Sequence, residues 1–132
     1  MSACILYPYP VLLLELIIQY LHIACLEICI LSDNDLSGPI PSTLGLMTSM
    51  EELWISNNNL ITGTIPEELG NLTNLYTLHL EETSLEGTMP PKVCLLRENN
   101  QSLEFPYNLY ELAVDCKDVD CCCCSNCQSD IC

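Results

Sequence analysis

One stretch, residues 50 to 72, recurs along this chain, and the recurrence constrains the fold more than composition or any single motif. Leu26, Met50 and Leu75 head three copies, spaced by 24 and then 25 residues. In the first copy Leu31, Asn34, Leu36, Gly38, Ile40, Pro41, Leu44 and Gly45 fall where Ile55, Asn58, Leu60, Gly63, Ile65, Pro66, Leu69 and Gly70 fall in the second, with one residue inserted near Ile61. The third copy keeps Leu78, Leu80, Leu85, Gly87, Met89, Pro90, Val93 and Leu96, but Thr83 replaces the Asn and Cys94 replaces the final Gly. A period of this length marks a stacked array, because one unit cannot bury its own apolar face and its neighbours must supply the core.

Each recurring letter has a physical role. Leu53 and Ile55 alternate on a short strand and point inward, and an inward Asn58 can bond backbone groups of the turn that would otherwise be buried without partners. Gly63 permits a turn that a side chain would obstruct, and Ile65-Pro66 sets an extended return segment. Leu69 and Leu72 close the layer.

The pattern LxxLxLxxNxLxGxIPxxLGxL, carried by residues 26 to 96, resembles the plant-type leucine-rich repeat of receptor-kinase ectodomains and secreted inhibitor proteins. The resemblance implies an α/β solenoid: a short right-handed superhelix with a parallel sheet on its concave side and extended or 3₁₀ segments opposite. It also implies a protein or peptide ligand on the concave face and a cysteine-paired cap at the end of the array. Three to four turns are about the fewest that stack stably, so the chain reads as part of a longer array.

Three segments follow. Residues 26–115 hold the repeats, with Leu109-Tyr-Glu-Leu112-Ala-Val114 restoring the strand pattern after a polar run at 97–102, and Asp115-Cys116 closing that last turn. Residues 1–25 fall outside the repeat. Met1 to Pro10 lacks the Lys or Arg of a signal peptide, and a membrane span here would carry Glu15, Gln19, His22 and Glu27. Because Leu26 to Leu31 is needed as the first strand, residues 11–24 are read as a short helix or irregular cap, with a diverged signal or anchor as alternatives. Membrane association stays open. Residues 116–132 form a cysteine-rich tail.

The chain has 11 cysteines in 132 residues, near the density of a disulfide scaffold in a secreted protein. Cys116, Cys121, Cys122, Cys123, Cys124, Cys127 and Cys132 crowd the tail, and Cys94 stands in the preceding turn. They admit a disulfide cap or a thiolate metal cluster, since Cys124-x-x-Cys127 has zinc-like spacing, although four consecutive cysteines are awkward for a tetrahedral site. The cap is preferred and no metal is assigned. Sequons at Asn71-Leu-Thr73 and Asn100-Gln-Ser102 are candidate glycosylation sites and fit an extracellular or membrane-associated protein.

Net charge is -15, with Lys92, Arg97 and Lys117 against 18 acidic residues. Such a field repels phosphate backbones, which excludes nucleic acid, and attracts basic partners. The outward strand positions are Ile28, Ile30 and Ser32, then Glu52, Trp54 and Ser56, then Thr77, His79 and Glu81, then Glu111, Ala113 and Asp115. Across turns, an exposed Trp54 and His79 share a column ringed by carboxylates, so Glu52, Trp54, Ser56, Thr77, His79, Glu81 and Glu111 are the candidate ligand-binding residues, with Trp54 as anchor.

No catalytic constellation is present: no nucleophile elbow, no P-loop, no dinucleotide fingerprint and no His-x-x-x-His pair. Asp33 to Gly38 begins like a calcium loop, but its twelfth position is Leu44 where a bidentate Glu is required. The expected function is therefore non-catalytic recognition without a cofactor, the alternatives being a metal-binding or redox tail, or a truncated repeat fragment without independent function.

Overall fold

The computed structural model describes the backbone of Ala3–Ile5 and residues 27–98 and 109–127 in full save the side chain of Glu98. The apolar segment at 11–24, His22, Asn100 and Cys132 lie outside these residues. The elements run β1 (Ala3–Ile5), β2 (Ile28–Ile30), β3 (Ser37–Gly38), a first 3₁₀ turn (Ser42–Leu46), β4 (Glu52–Trp54), β5 (Asn58–Gly63), a second 3₁₀ turn (Glu67–Asn71), β6 (Thr77–His79), β7 (Thr83–Leu85), β8 (Gly87–Thr88), α1 (Pro91–Glu98), β9 (Glu111–Ala113) and β10 (Val119–Asp120).

The concave sheet is parallel in the order β1-β2-β4-β6-β9. Four strands were expected, and β1 is a fifth: Ala3 pairs with Ile28, one repeat period away. The convex side differs in two ways from the extended and 3₁₀ segments expected. The return segments pair as a second parallel sheet, β3-β5-β7, and the third turn carries the α-helix α1.

The core is a set of columns, one residue per turn. Cys29, Leu53, Leu78 and Leu112 are fully buried at the strand centres, followed by Leu31, Ile55, Leu80 and Val114. On the far side Leu44, Leu69 and Val93 form another column. Each fully buried aliphatic side chain is worth roughly 1.5–3 kcal/mol relative to exposure, so stability accrues per stacked layer.

The inserted residue acts as a bulge. The β5–β7 register shifts between Asn58 and Thr62, and the core place that Leu36 and Leu85 fill in their turns passes from Leu60, 49% exposed, to the fully buried Ile61. One extra residue on a strand reverses which side chains face inward, so the repeat letter at Leu60 is misleading.

Backbone conformation repeats with the sequence. Gly38, Gly63 and Gly87 have φ of 89°, 85° and 95°, and Asp33, Asn57 and Glu82 sit in the left-handed region at φ 59°, 58° and 54°. Asn57 and Asp33 tolerate that region better than Glu82 does. Gly45 and Gly70 serve a different purpose: a Cβ on Gly45 would strike the Glu68 backbone, and one on Gly70 would lie 2.8 Å from the Lys92 carbonyl. Close approach of successive convex segments thus requires glycine. Cys94 replaces it on α1 and bonds Cys123 of the tail instead.

The last turn continues past Asp115, where the sequence had closed it. β10 pairs in parallel with β8, burying Val119 at 2% exposure and Cys121 at 3%. Beyond them Ser125 and Asn126 cover the outer edge of β9. The Ser125 backbone N–H donates to Leu112 O and its hydroxyl accepts from Leu112 N, while Asn126 donates to Val114 O at 2.7 Å and accepts from Val114 N at 3.3 Å. An exposed parallel edge invites unwanted strand pairing, and these side chains occupy its donors and acceptors. Disulfides Cys121–Cys124 and Cys116–Cys127 flank the pair in sequence.

Candidate functional site

The register of the concave sheet brings Trp54 opposite His79 and Glu52 opposite Thr77, with Glu111 and Ala113 next in line. Trp54 and His79 stack with ring centroids 4.2 Å apart and planes 3° from parallel. The indole N–H donates to Glu52 Oε2 at 3.0 Å, which fixes the plane of the ring. His79 Nδ1 lies 2.7 Å from Glu81 Oε1, and Nε2 lies 3.3 Å from Glu111 Oε1 without meeting hydrogen-bond geometry. His79 Nε2 and Glu81 Oε2 are consequently buried with no hydrogen-bond partner within the protein.

The column is less open than its positions on the sheet imply. Trp54 is half-buried rather than exposed, His79 is 8% exposed, Thr77 4% and Ser56 6%. Trp54 loses exposure because one ring face rests on His79. Ser56 is spent on a 2.9 Å hydroxyl pair with Ser32 of the preceding turn. Ser56 and Thr77 therefore support the surface, and Trp54, Glu52, Glu81 and Glu111 form its accessible part.

Tyr76 and Tyr110 were not singled out from sequence. They occupy the position just before β6 and β9, where earlier turns have Glu27 and Glu51, and they stack at 5.4 Å with planes 6° apart while remaining exposed. Two aromatics at one repeat offset are the signal that would have found them. Beside them a cleft of about 450 Å³ is lined by Arg97, Tyr110, Glu111 and Ser125.

The family model for the Leucine Rich Repeat matches residues 25–47 and 49–72. These two segments are leucine-rich repeats, and the comparisons are consistent with a plant-type leucine-rich-repeat protein. Among solved structures, the leucine-rich-repeat chain is similar to the plant peptide hormone receptor RGFR1 in complex with RGF2, with 30% identity and a TM-score of 0.56 over 71% of this chain. The match spans 13% of that receptor chain. No curated protein matches.

A larger cleft of about 530 Å³ opens on the return side of the leucine-rich-repeat turns, between Pro39–Thr43 and Gly63–Pro66. Its walls are prolines and aliphatic groups with the hydroxyl residues Ser42, Thr43 and Thr64, and no charged side chain lines it. At the far end of the chain Cys94–Cys123, Cys116–Cys127 and Cys121–Cys124 are disulfides, and Cys122 is also disulfide-bonded. Of the two arrangements open to the tail, the disulfide cap is the one present, and it includes Cys94. Asn71 ends the second 3₁₀ turn half-buried, its side-chain oxygen accepting from Lys92 Nζ at 2.6 Å. No helix among the described residues is long and apolar enough to cross a membrane.

Proposed function

We propose that this chain is a non-catalytic recognition module, acting outside the cell or at the membrane surface, that binds a basic peptide or protein segment on its concave face. The observation that carries the reading is the half-buried Trp54 set among Glu52, Glu81 and Glu111, with Glu81 Oε2 lacking a hydrogen-bond partner within the protein and His79 Nε2 facing only Glu111 at 3.3 Å. Buried polar groups are ordinarily satisfied, and a small turn of the Glu81 carboxylate would let it accept from a donor outside the protein. An N–H-rich cation fits. A guanidinium donates to Glu81 and Glu111 and lays its plane on the open part of the indole, while Glu52 holds the ring in place. The likeness to a plant receptor that binds a peptide hormone supports this ligand class, and the disulfides support the compartment.

Trp54 is the one tryptophan of the chain and reports directly on this site. Titration with an arginine-containing tetrapeptide is expected to change its emission saturably, whereas the glutamate counterpart does not. Glu81→Gln and Glu111→Gln should each weaken the arginine peptide by about 5- to 20-fold, at or below the low end for a charge-assisted hydrogen bond because both carboxylates are partly exposed. Equal responses to both peptides, or none, would refute the proposal.

A further inference from the structure

We propose that Cys94–Cys123 and Cys121–Cys124 form a thiol–disulfide exchange relay, through which a dithiol entering beside α1 releases the cap on the last turn. The two bonds meet: Cys121 Sγ lies 3.8 Å from Cys123 Sγ although each is bonded elsewhere, and the sulfurs of Cys121, Cys123 and Cys124 all lie within 4.8 Å of one another. Accessibility divides them. Cys121 and Cys124 are buried at 3% and 8% exposure, while Cys94 and Cys123 are half-buried. Cys94 also lines a cleft of about 330 Å³ with Thr88, Met89, Pro91, Leu95, Asp120 and the disulfide-bonded, exposed Cys122, open enough to admit a small thiol. The buried bond has the Cys-x-x-Cys spacing that suits reversible exchange.

The chemistry balances without an oxidant. One thiolate of the dithiol attacks Cys94 Sγ, the Cys94–Cys123 bond breaks, and Cys123 leaves as a thiolate. That thiolate attacks the adjacent Cys121 Sγ, forming Cys121–Cys123 and expelling Cys124 as a thiolate. The second thiol of the reagent then attacks the mixed disulfide at Cys94, so Cys94 becomes a free thiol and the reagent leaves as its cyclic disulfide. Two disulfides and one dithiol become one protein disulfide, two protein thiols and one oxidised reagent, a two-electron reduction.

The products explain why the arrangement is consequential. Freeing Cys94 cuts the link between α1 and the tail, and freeing Cys124 cuts the bond immediately before Ser125 and Asn126, the residues that cover the β9 edge. Cys116–Cys127 keeps the segment tethered on its other side. The relay is thus a reductive latch on the end of the sheet, independent of concave-face binding.

The test uses the full oxidised chain under native conditions with one equivalent of dithiothreitol, followed by alkylation and fragmentation mass spectrometry to locate each label. Equal labelling of Cys94 and Cys124, with a new Cys121–Cys123 bond, is the expected result. Labelling of Cys94 and Cys123 with Cys121–Cys124 intact would overturn the relay, and so would labelling of Cys121 and Cys124 with Cys94–Cys123 intact, or labelling of Cys122, whose own disulfide faces the same cleft, in place of Cys94. As a second measurement, the double variant Cys94→Ser/Cys123→Ser should lose Cys121–Cys124 to the reagent about tenfold more slowly, since only direct attack on buried sulfur remains. An unchanged or faster rate, in a variant that retains native Trp54 emission, contradicts the proposal.

Discussion

Replacing Asn58 by Ala should destabilise the chain far more than replacing Asn34 by Ala, although both carry the same letter of the repeat. Asn58 is fully buried; its amide donates to Leu31 O at 3.0 Å, Ile55 O at 2.7 Å and Ser56 O at 3.1 Å, and its oxygen accepts from Leu36 N at 3.0 Å. Leu31 O retains Asn34 as a donor and Ser56 O retains the Asp33 amide, so truncation weighs most on Ile55 O and Leu36 N. An orphaned buried backbone group costs about 1–3 kcal/mol, which puts Asn58→Ala at roughly 3–5 kcal/mol. Asn34 is only part-buried and donates to Leu31 O and Ser32 O, leaving no buried amide behind, so its truncation should cost about 1 kcal/mol. Urea unfolding followed by Trp54 emission measures both. A difference between the two variants below about 1 kcal/mol would refute the claim that the inward Asn is a structural bond-maker of the stacked core.

Other expectations follow from single contacts. Gly70→Ala should cost about 2–3 kcal/mol despite alanine's better backbone propensity, because its Cβ would meet the Lys92 backbone of α1; calorimetry gives the sign directly. Glu82→Asn should raise the unfolding temperature, with a gain of roughly 0.5–1 kcal/mol, since asparagine accepts the left-handed conformation that Asn57 already adopts one turn earlier. Asn126→Ala should cost about 1–2 kcal/mol and speed hydrogen exchange at the Val114 amide, which Asn126 covers, while leaving exchange at Leu53 unchanged.

Most of the fold was legible because the repeat is written in residues whose chemistry is positional. The spacing of Leu53 and Leu78 fixes the register of β4 and β6, the glycines at Gly38, Gly63 and Gly87 mark the positive-φ turns, and Trp54 with His79 were placed side by side from period alone. The departures have separate causes. β1 is followed by Tyr9, Leu13 and Leu16 at the offsets where the next turn has Asn34, Gly38 and Pro41, so only its pairing to β2 reveals it. At Leu60 and Ile61 both residues are apolar, and sequence cannot say which one a bulge turns inward. Val119 and Cys121 continue the fourth turn with too few apolar neighbours to register as a repeat, because disulfides and the β8 pairing hold what apolar burial does not. The pairing of Trp54 with His79 across turns was legible, but its depth was not: alternation along a strand tells which way His79 points and not that Trp54 will lie flat against it.

The central claim is recognition on the concave face, and amide chemical-shift mapping of the isotope-labelled chain with the arginine tetrapeptide tests it most directly. Shifts concentrated at Glu52–Trp54, Thr77–His79 and Glu111–Ala113, saturating together, are the expected result. Shifts concentrated instead at Pro39–Thr43 and Gly63–Pro66 on the return side, or absent from the Trp54–His79 column at saturation, would contradict it.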